Sequence, residues 1–190
     1  MKLWLLRHAR VQLPPGVCYG VSDVRADPLA TEAAAQAFAH YPVIGCPVWA
    51  SPAARAQQMA QALQARRADL RDHRLDARLH EMDFGQWEMQ AWANIPRAAV
   101  DAWAADFAHH RFGGRESAQQ VIDRVAQALD DALALNLPEL VWVTHAGVIR
   151  ALQFLHTVGA RREIAAAHEW PPEAPPMGGW MTLDFETLKG

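Results

Sequence analysis

Short apolar runs alternate with longer amphipathic stretches along the chain. Residues 3–6 and 140–143 are continuous apolar runs, the pattern of strands that are buried on both faces of a sheet. Residues 48–50 and 74–76 predict two further short strands, and the alternation over residues 180–185 predicts a last one. Because helical patterns lie between most of these strands, we expect an α/β fold of three layers (α/β/α) with a mostly parallel central sheet.

The helical patterns have recognisable starts. Thr31 is predicted to cap an alanine-rich helix that runs to residue 41, and Ser51 with Pro52 is predicted to open a helix that runs to about residue 67. The next two patterns predict short helices broken at a proline and then a long helix with apolar residues at every fourth position. The remaining predicted helices span residues 91–107, 116–135 and 147–155, and a proline-rich loop spans residues 171–179.

Composition narrows the classes of protein. The 190 residues fit one domain, residues 1–190, with 51% hydrophobic and 21% charged residues. The net charge of −3 argues against general nucleic-acid binding, so affinity for phosphate would need a local cluster of arginines. Cys18 and Cys46 are too few for a disulfide framework. Since the first apolar run is too short for a signal peptide and no window is long enough to span a membrane, we expect a cytoplasmic protein without a membrane or nucleic-acid partner.

Two histidines follow predicted strands far apart in the sequence. His8 comes after the first strand, with Arg7 beside it, and His145 comes after the clearest one. Ligands of α/β proteins bind at the carboxyl ends of parallel strands, so the two imidazoles are predicted to converge there. Arg55, one turn into the helix that Ser51 opens, is expected at the same edge, where its guanidinium suits phosphoryl oxygens. Alternation along a strand would place Arg7 and His8 on opposite faces unless the strand has already ended.

A segment rich in carboxylates supplies a candidate acid. Glu81, Asp83 and Glu88 lie among apolar residues, and a departing alkoxide needs a proton from such a group. The residues alone do not choose among the three.

Five segments resemble, in order, the signatures of the histidine phosphatase superfamily, also called phosphoglycerate-mutase-like. The first, Leu6-Arg7-His8-Ala9, resembles its R-H-G signature, and the last begins Thr144-His145-Ala146-Gly147. The five segments span residues 6–9, 51–56, 79–88, 114–125 and 144–152.

The resemblance implies a metal-independent phosphomonoesterase without a cofactor, which acts on a small phosphate ester. His8 would be the nucleophile, with Arg7, Arg55 and His145 binding the phosphoryl group and Glu81 acting first as acid and then as base. Ser22 and Ala146 would also line the phosphate site. The resemblance further implies a helical cap insertion at about residues 85–115. It also places a second set of residues at the pocket rim or behind it: Arg10, Val11, Glu116 and Ser117.

A narrower resemblance concerns the α-ribazole phosphatase branch, which works in the late steps of cobalamin assembly. It is carried by the loop of residues 15–24 and by Phe84-Gly85-x-Trp87-Glu88 with the aromatic residues that follow. The chain also departs from the family pattern. Alanine replaces glycine after each histidine, a methionine stands where glycine normally follows Trp-Glu, and an arginine interrupts the Gly-Gly-Glu-Ser pattern. These departures are Ala9, Ala146, Met89 and Arg115.

Four alternatives to the α-ribazole phosphatase interpretation remain open. A phosphoglycerate mutase would return the phosphoryl group to a sugar acid, and a broad-specificity phosphatase would act on many small esters. A non-catalytic phosphate-binding protein would keep the pocket without turnover. A metal site on His8 and His145 is disfavoured by the flanking arginines and by the absence of a third ligand with recognisable spacing. The oligomeric state, including a homodimer, is also open.

Overall fold

The computed structural model describes residues 1–42, 44–70, 73–159 and 161–185. Within these ranges the sheet has five strands in the order β3-β2-β4-β1-β5. The first four strands run parallel to their neighbours, and β5 pairs antiparallel with β1 at one edge. The strands are β1 (Lys2–Arg7), β2 (Val48–Ala50), β3 (His73–Leu75), β4 (Glu139–Thr144) and β5 (Trp180–Asp184). The predicted mixed, mostly parallel sheet is therefore confirmed, with β3 one residue earlier than expected.

Five α-helices accompany the sheet in the described part of the chain. They are α1 (Pro28–Phe38), α2 (Ala54–Arg66), α3 (Arg97–Ala105), α4 (Ala118–Ala134) and α5 (Ala146–Val158). Short 3-10 helices occupy Ala68–Leu70, Ala77–Leu79, Gly85–Trp87, Trp92–Asn94, Phe112–Gly114 and Ala167–Glu169. None of the helices in the described ranges has the length and apolarity to cross a membrane.

The helices cover both faces of the sheet because successive strand residues point to opposite sides. In β4, Leu140 and Trp142 join an apolar cluster with α4 and α5, whereas Val141 and Val143 join a second cluster with α1 and α2. This division gives the predicted three layers. Strands buried on both faces also explain why β1 and β4 are continuous apolar runs.

Two predicted helix starts are wrong. Asp27, not Thr31, caps α1: its carboxylate accepts a hydrogen bond from the Ala30 amide, and Thr31 lies inside the helix with its hydroxyl on the Asp27 carbonyl. Helix α2 begins at Ala54, and Asp23 accepts the first helical N–H, at 2.7 Å. Ser51 lies three residues before the helix, where its hydroxyl accepts the Ala53 amide at 3.3 Å and also takes part in a contact at the strand ends described below.

Candidate active site

The carboxyl ends of β1, β4 and β2 place three polar residues side by side. The amide of His8 donates to the Thr144 carbonyl at 3.1 Å, and the amide of Ser51 donates to the Val143 carbonyl at 2.9 Å. Each bond continues the strand pairing by one residue. Because β1 ends at Arg7, the side chain of His8 does not follow the strand alternation that would place it on the opposite face from Arg7.

His8 is held as a neutral imidazole with one nitrogen available. Its Nδ1 lies 2.8 Å from the Ala9 carbonyl oxygen, which can only accept, so Nδ1 carries the proton and Nε2 keeps its lone pair. The ring is 2% exposed. Burial, followed by the positive charge of Arg55, lowers the pKa of His8 to about 3. An uncharged, unprotonated Nε2 is the state that a nitrogen nucleophile requires.

His145 faces His8 and is fixed by two partners. The ring centroids of the two histidines are 5.1 Å apart. The Nε atom of Arg55 donates to His145 Nδ1 at 3.3 Å, so the proton of this imidazole lies on Nε2, which donates to the Ser51 hydroxyl at 2.8 Å. Burial and the charge of Arg55 hold the pKa of His145 well below its usual range. His145 also stands at the N-terminus of α5, where backbone N–H groups favour an anion.

Arg55 is completely buried, and neutral groups hold its guanidinium. Its two terminal nitrogens donate to the carbonyls of Ser22 and Gly20, at 2.8 and 2.5 Å, and its guanidinium lies 5.3 Å from the ring centroid of Tyr19. Within the described part of the chain, no Asp or Glu forms an ion pair with it. Burial lowers the pKa of this guanidinium. The ordinary pKa of arginine is so high that the group nevertheless stays charged. A buried cation held by neutral carbonyls is poised to pair with an anion.

Arg7 is turned toward the same edge and touches the proline-rich loop. Its Nη1 donates to the Pro175 carbonyl at 2.9 Å, while its Nε is buried without a partner. The amide of Gly178 donates to the His8 carbonyl at 2.9 Å. The loop over residues 171–179 is therefore part of the wall around His8 and Arg7, a role that the sequence did not indicate.

Glu81 is held at the start of α5. One carboxylate oxygen accepts a hydrogen bond from the Gly147 amide at 3.0 Å, and the other accepts one from the Met82 amide at 3.1 Å. A Cβ atom at residue 147 would overlap the Glu81 carboxylate, so the glycine is required for this close approach. Glu81 also lines two cavities, one of about 440 Å³ and one of about 100 Å³.

The other two carboxylates of the segment, Glu88 and Asp83, hold local structure through hydrogen bonds and an ion pair. Glu88 accepts hydrogen bonds from the amides of Gly20, Val21, Ser22 and Phe84 and from the Ser22 hydroxyl. Asp83 accepts the Gly85 amide and pairs with Arg115 at 3.4 Å. Only Glu81, of the three, is hydrogen-bonded to the helix that His145 begins. This contact is the structural difference among the three carboxylates that the residues alone left open.

Glu88 also influences the position of Arg55 indirectly. The loop that it holds presents the Gly20 and Ser22 carbonyls, and these are the two acceptors of Arg55. Ser22 therefore meets the site through its carbonyl, while its hydroxyl is turned to Glu88. Ala146 is the first residue of α5 and lines the smaller cavity.

Of the four expected rim residues, Glu116 lines the larger cavity together with Glu81. Arg10 is exposed and pairs with Asp27, and Val11 is buried in a bridge to Ala26. Glu116 pairs with Arg124 at 2.7 Å, and Ser117 caps α4 in a capping box with Gln120. These contacts shape the larger cavity and the start of α4.

Sequence reasoning missed three parts of the site: Tyr19, Gly147 and the hydroxyl of Ser51. Burial raises the pKa of the Tyr19 phenol, against the lowering effect of Arg55 and Arg7. A serine before a proline is a strong local signal for a helix cap, which is why the sequence predicts that role for Ser51. Nothing local marks its contact with a histidine that is 94 residues away.

The departures from the family pattern have different outcomes. Met89 adopts φ = 65°, the left-handed region that favours glycine, so the residue that replaces glycine there keeps the glycine conformation. Arg115 is mostly exposed and forms the ion pair with Asp83. Ala9 is 1% exposed in the apolar cluster with α1 and α2.

The model of the histidine phosphatase superfamily (branch 1) matches residues 3–179, most of the chain. The chain belongs to this family. It is therefore a phosphatase, a hydrolase whose substrate class is a phosphate ester. A search of curated proteins found no match.

Solved structures share the fold of this histidine phosphatase. Mycobacterial glucosyl-3-phosphoglycerate phosphatase in complex with VO3 superposes with a TM-score of 0.78 at 25% identity, over 96% of this chain and 92% of that one. The native form of that enzyme gives 0.78 at 23%, over 95% and 88%. TTHB049 from Thermus thermophilus gives 0.72 at 25% identity, over 97% and 94%. Within the described ranges, no group of three or more His, Cys, Asp or Glu side chains is placed to hold a metal ion.

Proposed function

We propose that the phosphatase works through a phosphohistidine on His8. The observation that carries this proposal is the hydrogen bond from Nδ1 to the Ala9 carbonyl, which leaves Nε2 unprotonated on a ring that faces His145. The charges of Arg55 and Arg7 act on the same ring. Nε2 attacks phosphorus, the bond from phosphorus to the ester oxygen breaks, and that oxygen takes a proton from Glu81. Water then gives a proton to Glu81 and attacks phosphorus, so that the P–N bond breaks and inorganic phosphate leaves.

Arg7, Arg55 and His145 would bind the phosphoryl oxygens in this mechanism. The two guanidinium groups supply positive charge where the transition state gathers negative charge, which is the largest contribution in such reactions. Since arginines supply this charge, we expect turnover to be independent of added metal ions and insensitive to chelators. Residues 85–115 are proposed as a cap over the substrate, within the single domain of residues 1–190.

We further propose α-ribazole-5'-phosphate as the substrate and the cytoplasm as the place of action. The support is the resemblance of residues 15–24 and of the Phe84–Glu88 segment to that branch, together with two free cysteines. Glucosyl-3-phosphoglycerate is the competing substrate, since the phosphatase named for it superposes with a TM-score of 0.78. A direct comparison of kcat/KM for the two esters distinguishes between these substrates.

The test of the mechanism is the His8→Ala variant assayed on an aryl phosphate. We expect turnover to be abolished and a phosphoenzyme that is labile to acid and stable to base to be trapped only with the wild type. His156→Ala is the matched control, because His156 is exposed and bonds the Asp184 carbonyl far from the site. Retained turnover in His8→Ala would overturn the proposal. Phosphoryl transfer to a sugar acid, in place of release of phosphate, would instead favour a mutase.

A further inference from the structure

The smaller cavity beside Glu81 has an aromatic wall. It measures about 100 Å³ and reaches from the start of α5 to the segment that follows Glu81. Four aromatic residues contribute to its lining: Phe84, Trp103, Phe107 and Trp170. The remaining sides come from Glu81, Met82, Ala118, Val121, Ala146, Gly147 and Arg150.

The aromatic residues form a connected wall. Trp103 stacks on Phe107 with ring centroids 5.4 Å apart, and Phe107 lies 5.7 Å from Trp170. Trp103 also meets the ring of Phe84, edge to face, at 6.4 Å. Two lining residues carry a buried N–H without an acceptor, at Trp103 Nε1 and Arg150 Nε. Because buried N–H groups normally have acceptors, the wall lacks acceptors for these two donors.

The larger cavity on the other side of Glu81 has a different character. Most of its polar lining groups already have protein partners: Asp83 pairs with Arg115, Glu116 pairs with Arg124, and Gln120 belongs to the capping box of α4. The Nδ1 atom of His80, which also lines this cavity, is buried without a partner. This polar and charged lining suits water and the hydroxyl groups of a substrate. The apolar surface next to Glu81 is therefore on the aromatic side.

We propose that this aromatic cavity binds the alcohol side of the ester and selects phosphate monoesters whose alcohol carries a planar aromatic ring. The inference rests on the proposed function, because it places the ester oxygen at Glu81, from which either cavity can be reached. The volume of about 100 Å³ is smaller than that of the apolar cavities of about 150 Å³ that take up benzene, so the cavity holds no more than a single ring. Offset or edge-to-face contacts with Trp103 and Trp170 would favour a flat ring over a saturated one.

The test compares three esters with similarly basic leaving alcohols: benzyl, cyclohexylmethyl and ethyl phosphate. For the wild type we expect the highest kcat/KM with benzyl phosphate. Trp103→Leu and Trp170→Leu should each lower the benzyl-to-ethyl ratio by about three- to tenfold, the range that one aromatic pair contributes. Inhibition by inorganic phosphate should stay the same, because the wall does not touch the proposed phosphate site.

Trp92→Leu is the matched control. Trp92 packs against Phe84 and Phe112, as Trp103 does, but it does not line the cavity. We expect this variant to keep the wild-type ratio. An unchanged ratio in both Trp103→Leu and Trp170→Leu, with folding verified by thermal unfolding, would overturn the aromatic subsite. This outcome is distinct from failure of the phosphohistidine mechanism, which would appear as turnover by His8→Ala on all three esters.

Discussion

The segment from Leu79 to Met89 has two ends that look alike in sequence and differ in the folded protein. At one end, Glu81 receives two backbone hydrogen bonds and borders two cavities. At the other end, Glu88 receives five hydrogen bonds, four of them from backbone amides. A carboxylate that accepts five hydrogen bonds has few lone pairs left and stabilises a loop, whereas one that accepts two keeps lone pairs with which it can exchange a proton with a ligand. The number of donors, rather than the residue type, distinguishes the two ends and is the reason that we propose Glu81 as the acid.

The largest expected effect comes from replacing each carboxylate with its amide. Glu81→Gln should lower kcat on an alkyl phosphate by about 10²–10⁴-fold, the usual contribution of general acid–base catalysis. It should lose less stability than Glu88→Gln, because its NH₂ group replaces the acceptor of only one backbone amide. Glu88→Gln should instead destabilise the fold by about 1.5–3 kcal/mol, because an NH₂ group replaces an acceptor that faces N–H donors. Steady-state kinetics together with urea unfolding of both variants measure the contrast. Equal losses of stability in the two variants would contradict it.

A single methyl group is expected to disturb the Glu81 end alone. In Gly147→Ala the new Cβ would meet the Glu81 carboxylate, so the carboxylate must move. A displacement of about 1 Å in a catalytic group costs about 10²-fold in rate, and we expect that loss in kcat without a comparable rise in KM. Urea unfolding of the variant serves as the control for effects on the stability of α5. Wild-type kcat in Gly147→Ala would argue against Glu81 as the acid.

Acidic pH should lower the stability of the fold through the buried histidine His8, which faces His145 near the Glu81 end. The pKa of His8 is lowered to about 3 in the folded state, so between pH 3 and the ordinary value of about 6.5 the unfolded chain binds the extra proton. The stability contributed by the neutral ring is therefore present above pH 6.5 and falls as the pH falls. At pH 5 the loss from His8 is about 2 kcal/mol.

The measurement is urea unfolding of the wild type and His8→Asn at pH 7.5 and pH 5. The variant lacks the titrating ring and should lose about 2 kcal/mol less than the wild type across this range. Parallel losses in the two proteins would show that acid acts on other groups. Inorganic phosphate should oppose the loss in the wild type, since an anion in the site favours the protonated ring.

The sequence predicted the parts of the site that depend on strand order and missed those that depend on side-chain direction. Buried strands are visible as apolar runs, so the meeting of His8 and His145 could be expected from the rule that parallel strands end at one edge. The first hydrogen bonds of α1 and α2 could not, because α1 begins one turn earlier, with Asp27 as its cap, and the first amide of α2 is accepted by Asp23 from a distant part of the chain. The choice of Glu81 over Glu88 depends on loops brought together from residues 20–22 and from α5, which no local pattern shows.

The smallest expected effect lies at the Glu88 end. Met89 holds φ = 65°, and Asn136 holds φ = 52°. A left-handed conformation costs an ordinary L-residue roughly 1–2 kcal/mol, part of which glycine returns as entropy of the unfolded chain, so Met89→Gly should stabilise the fold by about 0.5 kcal/mol. Asn136→Gly should change little, because asparagine tolerates this region. Urea unfolding of both variants tests the difference. A destabilised Met89→Gly would mean that the half-exposed methionine side chain contributes packing that outweighs its backbone strain.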